Sequence, residues 1–297
     1  MTGMFSMFNG ARSFNGDLSG WDVSNVSNMD QMFRGATAFN SDISNWDVSN
    51  LESAKEMFRE TRAFNADISR WNTENLLNAD RMFFSTPVFD RSLGDWDIGN
   101  LRSMDEMLRS SGLSTLSYDR TLIGWSSQVV KQEVVLGANG VKFCAGEEAR
   151  DELSGEFGWV ITDGGSDCSE GNGTDILQFT VAEQISPAIF DDVNKTINIT
   201  VSGGSNIVAL TPTISLSRGA TSSPASEEAV DFSQSVVYSV TSEDGTTSQD
   251  WVVTVTEAAN TETDILTFLV DEVTGPVFIN TDNHVVALKV ATGTDLT

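Results

Sequence analysis

Apolar and polar positions along the chain keep two different rhythms. Over the first part, aromatic residues return every 25 positions: Phe14, Phe39, Phe64 and Phe89 are in register, as are Trp21, Trp46, Trp71 and Trp96. A Met-Phe pair keeps the same step at Met7-Phe8, Met32-Phe33, Met57-Phe58 and Met82-Phe83 and ends as Met107-Leu108. A period of this length marks repeats that bury their apolar faces only by stacking on neighbours. Within one unit Met29, Met32, Phe33 and Ala36 follow i, i+3, i+4, i+7 behind Ser27-Asn28, which predicts a short capped amphipathic helix. Asp42-Ile43-Ser44 and Trp46-Asp47-Val48 alternate and predict a short extended segment. The expected architecture is an α/β leucine-rich-repeat-like solenoid over residues 1–116.

The period fails after Met107, and residues 117–170 read as a segment that closes the array. Tyr118, Leu122, Ile123 and Trp125 fit a helix, Val134-Val135-Leu136 a strand, Glu147 to Phe157 a second helix, and Trp159 to Thr162 a second strand. Beyond Gly171-Asn172-Gly173 the pattern changes to period two. Ile176–Val181, Ile197–Val201, Ile214–Leu216, Val236–Val240 and Trp251–Thr256 read as strands, predicting an all-β immunoglobulin-like sandwich over 171–259. Asp175-Ile176-Leu177 returns 89 residues later as Asp264-Ile265-Leu266, so 260–297 reads as the start of a second domain of the same type. At the other end Met1 matches Val26, and the chain reads as part of a longer protein with further domains.

Charge narrows the choice of partners. Seventeen Lys and Arg stand against 43 Asp and Glu, a formal net charge of −26. The acidity runs through both halves, which argues against nucleic acid or an anionic membrane as partner. No apolar run approaches a membrane span, and the N-terminus lacks the features of a signal peptide. Cys144 and Cys168 are the only cysteines. They suit one disulfide better than a metal site, and a bridge between them is worth about 3 kcal/mol by chain entropy. Two free thiols are the alternative.

The repeat also carries a resemblance. Its consensus, M-x-x-M-F-x-x-A-x-x-F-N-x-D-[IL]-S-x-W-[DN]-[VT]-x-N-[VL], resembles the BspA-like leucine-rich-repeat family of bacterial surface proteins. Leu136-Gly137-Ala138-Asn139-Gly140 and Gly158-Trp159-Val160-Ile161-Thr162-Asp163 are similar to the segment ending such arrays in that family. The β-region is similar, more loosely, to tandem immunoglobulin-like domains of large bacterial surface proteins. The resemblance implies a secreted or surface-attached protein at the bacterial cell surface, often an adhesin, with no catalysis by the module itself.

No catalytic constellation stands out. The single His284 lies in the incomplete last domain, and no G-x-S-x-G, H-E-x-x-H or P-loop occurs. Polar rows are the other candidates. Asn15, Asn40, Asn65 and Asp90 form a ladder expected to satisfy backbone groups. Asp17, Asp42 and Asp67, with Asp22, Asp47 and Asp97, either bond backbone N–H groups or hold calcium, the one cofactor the sequence suggests. Positions that vary between fixed ones are the candidate binding surface: Asn45, Arg70, Arg91 and Asp95, the two arginines being cations able to pair with an anionic group on a partner. The expected function is a non-catalytic surface adhesin binding an extracellular protein or glycan through the repeats. The alternatives are a structural spacer in a surface filament and an accessory module of a large secreted enzyme.

Overall fold

A computed structural model describes residues 3–169 and 173–259, and the backbone of 278–280 and 285–287. The 25-residue repeats stack, but the α/β leucine-rich-repeat solenoid expected from the sequence does not form. Each repeat is a chain of turns with no helix and no strand longer than an isolated bridge. The reason lies in the backbone at the supposed helix. Gln31 and Gly35 both sit at positive φ, 57° and 67°, which breaks a right-handed helix within its first turn. Hydrogen bonds then alternate in direction. Met32, Arg34 and Ala36 donate three residues back, to Met29, Gln31 and Phe33. Met29, Gln31, Phe33 and Gly35 instead donate along the stack, to Ser53, Lys55, Met57 and Arg59 of the next coil, at 2.8–2.9 Å. The i, i+3, i+4, i+7 spacing is real, but it aims side chains from tight turns.

The same positive-φ position recurs at Ser6, Gln31, Glu56, Arg81 and Glu106. Their side chains form a polar column: Ser6 donates to Gln31, Gln31 to Glu56 at 3.2 Å, and Arg81 pairs with Glu106 at 2.6 Å. Parallel bridges link Gly3, Asn28, Ser53, Asn78 and Ser103 in succession. Inside, Phe33 lies on Phe39 at 3.9 Å, and each ring also stacks on its counterpart in the next coil, Phe58 at 5.7 Å and Phe64 at 6.1 Å. Trp46, Trp71 and Trp96 stack 6.3 Å apart, and each donates its indole N–H to a carbonyl 28 residues earlier, Leu18, Ile43 and Ile68. The aromatic columns hold the coils in register, while the backbone bonds set their spacing.

The stack passes into regular elements. Helix α1 (Thr115–Ser126) is capped by Ser114 and supplies Trp125, whose indole donates to Leu93 O at 2.7 Å in place of a further coil's tryptophan. Strand β1 (Val135–Gly137), helix α2 (Glu147–Gly155) and strand β2 (Val160–Thr162) follow, with β1 and β2 parallel. Leu136 continues the bridge column from Met104. Cys144 and Cys168 are joined in a disulfide across the loops that follow these two strands.

The β-region places its strands at the expected segments. They are β3 (Ile176–Thr180), β4 (Ile189–Asp191), β5 (Thr196–Val201), β6 (Thr213–Leu216), β7 (Thr221–Ser223), β8 (Val236–Thr241) and β9 (Ser248–Glu257). A five-stranded sheet in the order β4-β5-β9-β8-β7 faces the antiparallel pair β3-β6 over a shared core of Phe179, Ile197, Ile199, Tyr238, Val240, Trp251 and Val253. This arrangement is compatible with an all-β sandwich. Within the five-stranded sheet β5 and β9 run parallel and the other neighbours antiparallel. Strands β10 (Phe278–Asn280) and β11 (Val285–Ala287) pair antiparallel; the rest of the expected second domain, with His284, lies outside the described residues.

Candidate functional site

A cleft of about 360 Å³ opens where the edge of the stack, helix α1 and the β-region meet. The stack contributes Asp67, Ser69, Arg70, Asp90, Arg91 and Asp95; α1 contributes Ser117, Arg120 and Gly124; strands β3 and β4 and their connection contribute Gln178, Gln184, Pro187 and Phe190. Three of the four residues singled out as a binding surface, Arg70, Arg91 and Asp95, therefore share one cavity. Asn45 does not; it is exposed on an earlier coil, outside the cleft.

Close packing of α1 creates this geometry. A Cβ on Gly94 would stand 2.4 Å from Arg120 O, and one on Gly124 would stand 2.4 Å from Gly94 O. Gly94 occupies the position that is Ser19, Ser44 and Ser69 in earlier coils. The repeat thus gives up a side chain where the helix crosses it.

Arg120 is nine-tenths buried and ties the two regions together. Its guanidinium forms two 2.8 Å bonds to Asp192 and a third to Ile176 O, and it lies 4.4 Å from the centre of the Phe190 ring. A bidentate pair of this kind fixes orientation as well as distance. Its neighbour Asp119 accepts from the N–H groups of Cys144, Ala145 and Gly146 at 2.8–3.0 Å, holding the N-terminus of α2. Burial raises the Asp119 pKa, against the pull of those three donors. Arg120, Asp119, Asp192 and Phe190 are not among the residues that the sequence pattern singles out. The available signal was two charged residues among the apolar positions of a helix, at Tyr118 and Leu122.

Asp95 is the carboxylate of interest in the cleft. Its side chain is exposed at the cleft surface, yet the protein packed around it desolvates the carboxyl and pushes its pKa up to about 6. The charges of Arg70 and Arg120 oppose that rise, and Asp67 adds to it. Arg91 donates from Nε to Asn65 O at 3.1 Å. Neither Arg70 nor Arg91 has a carboxylate within ion-pair distance among the described residues.

The aspartate rows are committed to their own turns. Asp17, Asp22, Asp42, Asp47 and Asp67 each accept from the backbone N–H and hydroxyl of the serine two residues on, at 2.6–3.1 Å. Asp97 accepts from Gly99 N–H in the same way. The serine hydroxyls hold the Asp17, Asp22, Asp42 and Asp47 carboxyls below the usual carboxylate range. Among the described residues no three His, Cys, Asp or Glu side chains converge as a metal site, these six aspartates included. The asparagine ladder links coils: Asn15, Asn40 and Asn65 each accept from the N–H 25 residues later, at 2.7–3.0 Å, and Asp90 accepts from Ser114.

Residues 2–121 match the family described as "Mycoplasma protein of unknown function, DUF285", and residues 176–255 match "SGBP, N-terminal". Each match covers less than half of the chain, and the two are compatible with a bacterial surface protein. A Bacteroides thetaiotaomicron crystal structure, provisionally described as a glycoside hydrolase, is 30% identical with a TM-score of 0.27. The similarity covers 38% of this chain and 33% of that one, so the chain spans about a third of that protein's length. No curated protein matches this chain. Among the described residues no helix is long and apolar enough to cross a membrane.

Proposed function

We propose that this chain is the non-catalytic ligand-binding part of a bacterial surface adhesin, and that it holds a glycan in the cleft between the stack and the β-region. The observation that carries this reading is the convergence of Arg70, Arg91 and Asp95 on one cavity that also presents Gln178 and the Phe190 ring. Guanidiniums and a carboxylate offer donors and acceptors to sugar hydroxyls, and an aromatic ring offers an apolar face. The neighbouring match to the N-terminal part of SGBP supports a glycan over a protein as ligand. Beside Asp95, the other cleft carboxylates already accept hydrogen bonds within the protein, Asp67 from Ser69, Asp90 from Ser114 and Asp192 from Arg120.

The test is binding of the full chain to glycan and matrix-protein arrays, with and without the paired changes Arg70→Ser and Arg91→Ser. The expected result is glycan binding that falls by about tenfold or more in the double variant, the scale of losing charge-assisted hydrogen bonds. Equal binding by both proteins overturns the cleft assignment, and no binding by the unmodified chain favours the spacer reading.

A further inference from the structure

Two positions of the repeat carry an arginine only where the stack borders the cleft. Arg70 stands where the other coils have Gly20, Asn45 and Asp95, and Arg91 where they have Gly16, Ser41 and Ala66. The coils close with glycine, serine or alanine at these places, so packing does not call for a cation there. Other arginines of the stack, Arg34, Arg59, Arg81 and Arg109, form ion pairs with Glu56 or Glu106. Arg70 and Arg91 are exposed and form none among the described residues. The bond from Arg91 Nε to Asn65 O anchors that side chain and leaves both terminal nitrogens without a partner among the described residues.

The cleft also extends into a groove. A second depression of about 300 Å³ shares Ser69, Arg70, Asp95 and Pro187 with the first and adds Asn72 and Asp97. Arg70 therefore stands where the two depressions meet. Covering two guanidiniums with a neutral chain would strip their water and supply no counter-charge. The charges that face Asp95 are Arg70 and Asp67 from the coil before and Arg120 from α1, while Asp192 of the β-region is held by Arg120.

We propose that the ligand is an acidic oligosaccharide, lying along this groove with a carboxylate or sulfate group held by Arg70 and Arg91. The inference rests on the glycan reading above and names the class of sugar. A guanidinium meets either anion with paired N–H donors, which a sugar hydroxyl cannot match. Asp95 then sets the pH at which the groove works. Ionised, it repels an anion beside Arg70; protonated below about pH 6, it removes that repulsion and can donate a hydrogen bond. Affinity for the acidic sugar therefore falls as pH rises through that range.

The test is calorimetric titration of the full chain with matched pairs of probes: oligogalacturonate against its methyl ester, and a sulfated galactan oligomer against its desulfated form. The expected result is that an acidic member binds about tenfold or more tighter than its neutral counterpart, and that Arg70→Ser or Arg91→Ser removes the difference. The pair that responds distinguishes carboxylate from sulfate. Arg62→Ser, which deletes an exposed arginine outside the cleft, should leave the difference in place. Binding should weaken by about fivefold between about pH 5 and about pH 7.5, and Asp95→Asn should flatten that dependence. Equal binding of acidic and neutral members overturns the proposal and leaves the glycan reading standing. Binding of none of these probes overturns both. A loss on Arg62→Ser as large as on Arg70→Ser overturns it in favour of a site elsewhere, and equally tight binding of a hexaglutamate peptide overturns it in favour of an acidic protein segment.

Discussion

The stack and the β-region bury similar kinds of side chain but orient their hydrogen bonds differently. In the β-region, bonds join strands of one sheet, and alternation sends Ile197, Ile199 and Val201 inward while Asn198 faces solvent. In the stack, half of the turn N–H groups point along the axis to the next coil, and the core consists of continuous columns of rings. A sheet needs strands several residues long. A stack needs only that each coil repeat the last, so irregular backbone becomes a stable element when its unpaired groups recur at the spacing of their partners.

The strongest test of this contrast is to empty one column. Phe58→Ala removes a ring packed between Phe33 and Phe83 and should cost about 3–5 kcal/mol. Phe8→Ala, at the partly covered end, should cost clearly less. Trp251→Ala should lower the melting of the β-region by a comparable amount to Phe58→Ala. If calorimetry shows each of the two buried substitutions lowering both regions together, the two do not behave as separate units.

A second, smaller effect falls on the segment joining them. Reducing Cys144–Cys168, or replacing both with serine, should destabilise the closing segment by about 3 kcal/mol, seen as a lower urea midpoint for the stack with the β-region little changed.

The smallest effect is electrostatic and sits at the boundary. Asp95 has a folded pKa near 6, above its unfolded value, so the folded chain binds more protons between these values. Its contribution therefore weakens as pH rises from about 4 to about 6. The aspartates bonded to serines have the opposite sign: their stabilisation is present above the ordinary carboxylate range and is lost as pH falls below it. Asp95→Asn should abolish the decline between pH 4 and 6 and leave the acid limb in place, measured by urea midpoints across that range.

Much of this organisation was legible from residues. The strict alternation of Ile197 to Val201 identified a half-buried strand, and the recurrence of Asn15, Asn40 and Asn65 identified a backbone-satisfying ladder. The repeat segment is not a helix: one spacing of apolar residues serves helices and stacked turns alike. Gln31, Glu56, Arg81 and Glu106 take a left-handed backbone that their side chains do not advertise. Gly10 and Gly35, at the second positive-φ position, were the visible hint. The cleft was half legible, since variability pointed to Arg70, Arg91 and Asp95. Arg120 was hidden because its partner Asp192 lies 72 residues away, in a region with a different rhythm.

The columns of rings also make the length of this protein a matter of arithmetic. Because Phe33, Phe58 and Phe83 recur at equal separations, a change of one or two residues inside a middle coil puts that coil out of register with its neighbours, while the coils beyond keep their contacts with one another. Removing or duplicating a whole unit of 25 leaves each surviving contact as it was. Recombination between such similar stretches of a gene can therefore lengthen or shorten the stack in whole steps, while single-residue insertions within a coil are the changes selection should remove.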